Sequence, residues 1–377
     1  MVRSEEIKEG LKGVVAGTSN ISYVFGEEGR LIYRGYDIHD LGRYATFEEV
    51  IYLLWHGELP TQTQLDELRR NLTENYPVPD DVLDLIRKMP QQANPMGVLR
   101  TAVSLLGNLD PEADENGYEA NLRKAIRLTA KMPTIIAAQI RADRGQDFVA
   151  PDPRLGISAN FLYMIRGETP PESFVKSMDM ALVLHADHEF NASTFTARTT
   201  VSTLSDLYSG IVAAIGALKG PLHGGANEQV MRMLLEIKKP ENVRPWIEDR
   251  IAQGRKIPGF GHRVYRTEDP RAKFLREKSY ELSAYIGEKD WYEMLRELEQ
   301  VAYEKKGLYC NVDLYSGSIY YAMGIPLEYF TPIFALSRVA GWTAHILEQY
   351  EDNKLIRPRA VYTGPTSREY VPLSRRR

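Results

Sequence analysis

The sequence predicts an all-α fold carrying one short β-hairpin near its N-terminus. Three observations carry that prediction. Only Ser19–Tyr36 alternates apolar and polar residues as a half-buried strand does. Nearly every later stretch spaces its apolar residues three and four apart, as the buried face of a helix requires. No strand–helix–strand alternation marks a parallel sheet, and no internal repeat or low-complexity segment is present.

Taken in order, Ile21, Tyr23 and Phe25 alternate, Gly26-Glu27-Glu28-Gly29 turns, and Leu31-Ile32-Tyr33 returns, which predicts a hairpin with a four-residue loop. Thr46–His56 has Phe47, Val50, Ile51 and Leu54 on one face, with Thr46 and Glu49 forming a capping box. Helices are expected over 61–76, 80–89, 95–109, 118–142, 158–165 and 171–185, with Pro133 kinking or breaking the fourth. Val201–Leu218 is apolar on most faces and predicts a single central buried helix. Further helices are expected over 227–237 and 290–305, and around Ala335, Val339, Trp342 and Ile346. Gly220–Gly225 and Gly324–Pro326 punctuate the chain and bracket a mobile subdomain.

A chain of 377 residues is ample for a sizeable core and allows two or three domains, or a large one with a smaller one attached. Its net charge of −4 argues against a general nucleic-acid binder, and its arginines are local rather than spread as a basic face. No stretch is apolar enough to span a bilayer, and the first ten residues have no apolar signal region. Cys310 is the only cysteine, so no internal disulfide forms, which fits a reducing compartment; the expected location is the cytoplasm.

Four stretches offer chemistry. Ile257 to Arg271, IPGFGHRVYRTEDPR, leads from Gly259 and Gly261 into His262, followed by Arg266 and Arg271. Glycines permit a tight turn or a close ligand approach, and arginine forks suit carboxylates and phosphates. The stretch therefore suits an anionic small molecule, with His262 at the chemistry. GPLHGGAN places His223 at the start of the following helix, where the positive helix end keeps an imidazole neutral and able to donate. In NVDLYSG, Asp313 lies between Val312 and Leu314, an apolar surround that raises a carboxyl towards a useful base. In LHADHE, His185 and His188 stand three apart with Glu189; this is no zinc signature, and a histidine donating to an anion suits it better, so no metal is expected. Arg338, in an otherwise apolar helix, calls for a carboxylate partner. His39, His56 and His345 read as ordinary surface or core histidines.

Together GPLHGGAN, PGFGHRVYRTEDPR, NVDLYSG and SRVAGWTAHILE, in this order, resemble the signature of the citrate synthase family, and RGYDIHDL and EEVIYLLWHGELP extend the likeness over the N-terminal half. The resemblance implies a two-domain helical homodimer, with a large domain of residues 1–223 and 330–377 and a small domain of residues 224–329 that closes over the substrates. It implies His223, His262 and Asp313 as catalytic residues for condensing acetyl-CoA with oxaloacetate. It places His188, Arg271, Arg338 and Arg357 on oxaloacetate, with Arg357 acting in the partner's site. It assigns CoA to Arg266, Lys256 and the backbone of Ile257, Gly259 and Gly261, and implies no cofactor beyond the CoA substrate. HEFNASTFTAR and AHILEQYEDNKLIRP also look like 2-methylcitrate synthases, which use propionyl-CoA, so that activity or a dual specificity stands as the alternative.

Overall fold

A computed structural model describes residues 8–11, 13–262 and 264–376. Its single sheet has order β1-β2-β3. Strand β1 (Ser22–Phe25) pairs antiparallel with β2 (Arg30–Tyr33), and the four residues between them form the expected turn. A third strand, β3 (Tyr36–Asp37), extends the hairpin through a two-residue turn at Arg34 and Gly35, both at positive φ. Such a turn matches the twist of the strands.

Sixteen α-helices follow among the described residues. The first ten are α1 (Ile38–Tyr44), α2 (Phe47–His56), α3 (Gln62–Asn75), α4 (Asp80–Lys88), α5 (Pro95–Leu109), α6 (Tyr118–Asp143), α7 (Ile157–Arg166), α8 (Glu172–His185), α9 (Ala192–Val201) and α10 (Leu207–Leu218). Then follow α11 (Ala226–Ile237), α12 (Val243–Ala252), α13 (Ala272–Ile286), α14 (Asp290–Lys306), α15 (Asp313–Ala322) and α16 (Phe330–Glu351). The capping box at Thr46 and Glu49 is present.

Two expectations fail. Pro133 does not break α6, which runs on for 26 residues. Proline removes one N–H from the helix, but Met132 to Ile140 are all buried, and that packing keeps the helix continuous across the defect. The stretch 201–218 is not one helix: Val201 ends α9 and α10 begins only at Leu207, because Asp206 caps α10 by accepting from Ser209 and Leu204 turns at φ 65.

The helices sort into two packing groups. Helix α16 is buried along almost its whole length and packs on α2, α6, α8, α9 and α10. Helices α11 to α15 pack mainly on one another, and α13 and α15 also rest on α8. A further contact joins the groups at the hairpin turn. The Arg266 N–H donates to the Gly26 carbonyl at 3.0 Å. A Cβ on Gly26 would lie 2.6 Å from the Val264 carbonyl oxygen, so only glycine fits there. No described helix is long and apolar enough to cross a membrane.

Candidate active site

The site forms where the two groups meet, and its first wall is a bend. Residues 186–191 join α8 to α9 and carry His188. The Tyr33 hydroxyl donates to the Asp187 carbonyl at 2.9 Å and accepts from its N–H at 3.2 Å. Ser22 Oγ donates to Asp187 Oδ2 at 2.5 Å and accepts from Glu189 N–H at 2.8 Å. His345, fully buried on α16, sits 3.2 Å from the same carboxylate, so it is part of this brace rather than an ordinary core residue. The hairpin and α16 thus fix the bend. The Nε2 atom of His188 is left buried without a partner.

Helix α16 supplies Arg338. It is buried, donates Nε–H to the His185 carbonyl at 2.7 Å and lies over the Phe334 ring. The expected carboxylate partner is missing: no described acid lies within ion-pair distance. Burial pulls this guanidinium down to about 10, against the opposing charge of Asp187. A buried cation without a partner is costly, and an anionic ligand would supply what the protein withholds.

His223 lies in the turn before α11, not at that helix's start. A different helix sets its tautomer. The Ser193 N–H, in the first turn of α9, donates to Nε2 at 3.2 Å, and Ser193 Oγ lies 2.8 Å from the same nitrogen. Trp342 donates to that Oγ at 3.0 Å, and Ser193 donates to Asn191 at 2.8 Å. With Nε2 accepting a backbone N–H, the imidazole proton sits on Nδ1. Burial, then the Arg338 charge, lower His223 to about 4.

Backbone N–H groups lock the tautomer of His262 in the same way. The N–H groups of Val264 and Tyr265 both donate to Nδ1 at 3.0 Å, which leaves Nε2 to carry the proton. His262 is lowered to about 4 by burial, against the charge of Asp269. Its ring stands 5.2 Å from His188, across the boundary between the two groups.

Gly259 and Gly261 lead into His262 at φ 82 and 77. A Cβ at Gly259 would strike Leu314 and Val230. The segment pairs with residues 309–311: Gly261 N–H donates to Tyr309 and Asn311 N–H to Gly259, each at 2.9 Å. These two backbone groups are thereby engaged, and Ile257 is buried beside them. The pairing carries the chain to Asp313, the first residue of α15. Burial raises its carboxyl to about 6, although Arg271 and Arg338 pull it down. Burial therefore outweighs two nearby cations and the helix N-terminus on which it stands.

Asp269 is the residue that the sequence reading missed. It is 1% exposed and accepts four donors. Oδ1 takes Arg271 N–H at 3.1 Å and Nε–H at 2.9 Å. Oδ2 takes Arg271 Nη2–H at 2.7 Å and Val312 N–H at 3.3 Å. It orients Arg271 and ties the His262 segment to the Asp313 segment. In sequence it looks like one more surface acid in TEDPR.

The structure therefore brings together His188, His223, His262, Arg271, Asp313 and Arg338. Arg266 is exposed at the rim, 4.0 Å from Glu27, and Lys256 is exposed beyond Gly259. Arg357 is exposed on the arm that follows α16 and bonds to none of the clustered residues within this chain. The lone thiol of Cys310 is buried. It sits with Glu268 and Glu299 around the Arg276 guanidinium, which occupies the place a cation would take.

A buried carboxyl raised towards neutrality, two neutral imidazoles and a guanidinium without a carboxylate partner form a set able to take up a proton and to donate hydrogen bonds to an anion. The family model for the citrate synthase C-terminal domain matches residues 10–359. Citrate synthase 2 of Bacillus subtilis is 53% identical over 97% of this chain and 98% of its own. The 2-methylcitrate synthase 1 of Corynebacterium glutamicum is 42% identical over 98% of this chain and 99% of its own. Among solved structures, the citrate synthase of Thermoplasma acidophilum, in ternary complex with carboxymethyl coenzyme A and oxaloacetate, superposes with a TM-score of 0.93 at 37% identity, covering 98% of this chain and all of that one. The chain belongs to the citrate synthase family and is an acyltransferase.

Proposed function

We propose that the chain condenses acetyl-CoA with oxaloacetate and hydrolyses the product thioester, giving citrate and free CoA. One observation carries this reading: a carboxyl raised to about 6 shares the arginines Arg271 and Arg338 with two imidazoles kept neutral by burial and fixed in tautomer by backbone N–H groups, and Arg338 has no carboxylate of its own. Asp313 takes a proton from the thioester methyl. The His223 Nδ1–H donates to the enolate oxygen as it forms, and loss of such a donor typically costs about 3–4 kcal/mol of transition-state stabilisation. The His262 Nε2–H donates to the ketone oxygen of oxaloacetate, so the enolate carbon attacks a polarised carbonyl. Water then cleaves the thioester and the CoA thiol leaves. Alignment of the two reactants contributes roughly 7–11 kcal/mol more. These steps use side chains alone and call for no resident metal or cofactor.

Arg338, Arg271 and His188 hold the oxaloacetate carboxylates, and Arg266, Lys256 and the backbone of Ile257, Gly259 and Gly261 receive CoA. Residues 224–329 act as a small domain that closes on residues 1–223 and 330–377; the separate packing of α11 to α15 supports this division. The working unit is a homodimer in which Arg357 reaches the partner's site. Its support is the extended arm after α16, which leaves Leu355, Tyr362, Tyr370 and Leu373 exposed in one chain. Mixing inactive Arg357→Ala and His262→Ala subunits should restore about a quarter of wild-type activity, because roughly half the dimers are mixed and each has one intact site. No recovery after confirmed subunit exchange removes Arg357 from the partner's site. The single, buried Cys310 supports a cytoplasmic setting.

A second reading, propionyl-CoA as acyl donor, rests on the 2-methylcitrate synthase relative. One methylene in an apolar pocket is worth only about 1–3 kcal/mol. Release of CoA with oxaloacetate and either thioester decides between the two. Release with neither thioester refutes both.

A further inference from the structure

Behind His262 stands a residue that the reaction above does not use. Tyr265 is 3% exposed. Its ring packs on His262 at 4.5 Å and against His188 at 5.6 Å. Phenylalanine would make both contacts equally well. The hydroxyl is the part that packing does not explain: it is buried with no hydrogen-bond partner. A buried tyrosine hydroxyl normally finds one, because an unmade bond leaves its desolvation uncompensated. The neighbouring His188 Nε2 is orphaned in the same way. Two unpartnered polar atoms on adjacent rings point to a ligand that meets both.

Arg271 shows which ligand group is short of donors. A free guanidinium grips a carboxylate with two parallel N–H bonds. Arg271 has already committed Nε and Nη2 to Asp269, at 2.9 and 2.7 Å. That side of the guanidinium is spent, so a substrate carboxylate meets only the remaining Nη1–H and Nη2–H donors and keeps lone pairs open for a further donor. We propose that the Tyr265 hydroxyl is that donor, bonding a carboxylate of the bound 2-oxo diacid next to Arg271 and His188. This rests on the oxaloacetate reading above.

Tyr265→Phe in the full-length protein tests it. The variant keeps the ring packing and the backbone N–H that sets the His262 tautomer. Its oxaloacetate dissociation constant, measured by calorimetry, should rise roughly 10- to 100-fold, the range for a lost bond to a charged group. The KM for the acyl-CoA at saturating oxaloacetate and the acid limb of the pH profile should stay within twofold and in place. Thermal stability without ligand should hold or increase, since an unsatisfied hydroxyl has been removed. Unchanged oxaloacetate binding in Tyr265→Phe, with the wild type binding normally, overturns this proposal alone. A wild type that does not bind oxaloacetate overturns the reading of the site and this proposal with it.

Discussion

Replacing Asp269 by asparagine should unfold more of the protein than any single change at the reacting groups. The carboxylate is 1% exposed and its partner Arg271 is 3% exposed. Asparagine retains one acceptor oxygen and turns the other into an NH2 that faces donors. Either the Arg271 Nε and N–H pair or the Nη2 and Val312 pair then meets a donor, and the guanidinium loses its counter-charge. Breaking a buried ion pair from one side costs about 3–5 kcal/mol. The midpoint of urea unfolding, taken with its slope, reads that loss directly. The double variant Asp269→Leu with Arg271→Met separates stability from function. It removes both charges and should recover most of the stability, because an apolar pair of similar volume replaces a buried ion pair at little cost. It should still bind oxaloacetate poorly. A loss below about 1 kcal/mol in Asp269→Asn would refute the view that Asp269 is the counter-charge of a buried guanidinium.

Three further predictions concern protons and close packing. Because Asp313 must be ionised to act as a base and titrates near 6, while His223 and His262 stay neutral down to about 4, kcat/KM should fall tenfold per pH unit below about 6; full activity at pH 4.5 would exclude it as the base. Asp179 lies at the N-termini of α2 and α7, bonded to Phe47 N–H at 3.2 Å and Ser158 at 2.7 Å, and burial followed by the charge of Glu48 raises it to about 7. The folded protein holds this proton and the unfolded chain releases it above roughly 4, so its stabilisation is complete below that pH and lost as pH rises through 7. Asp179→Asn should therefore flatten the stability profile between pH 4 and 7, and an unchanged slope would contradict the assignment. Gly26→Ala should raise the acyl-CoA KM several-fold, because its Cβ would press on the Val264 carbonyl and displace the segment carrying Arg266; unaltered kinetics would mean that the hairpin turn does not seat that segment.

Local rules made much of the fold legible. Thr46 with Glu49, Pro95 at a first helical turn and the GEEG turn each set an element boundary through chemistry within a few residues. The separation of α9 from α10 was hidden because the polar run Ser202 to Asp206 is short and interrupted by Leu204, with apolar stretches on both sides, so that the cap at Asp206 is the one local sign of a new helix. Helix α12 escaped because just Val243 and Ile247 are buried, too few to show a period. At the site, His223, His262 and Asp313 stood out because glycines and apolar neighbours surround them. Asp269 did not, since a carboxylate two residues from an arginine reads as a solvated pair and only the fold reveals its burial. The Ser193–Trp342 bond behind His223 spans 149 residues, beyond the reach of any local pattern.

The central position of α16 bears on how the chain is made. Trp55 Nε1 donates to Thr343 Oγ1 at 2.8 Å across 288 residues, and Asn20 N–H donates to Glu348 at 2.9 Å across 328. During synthesis the first ten helices therefore leave the ribosome long before the helix that fills their core. The apolar faces of α2, α6 and α8 that await α16 stay uncovered while residues 219–329 are added. A nascent chain stopped at Tyr329 lacks the rod on which the larger group packs, together with Arg338, Trp342 and His345. It should bind chaperones rather than fold, and α11 to α15, which pack mainly on one another, should gain protection from proteolysis before the helices that precede them.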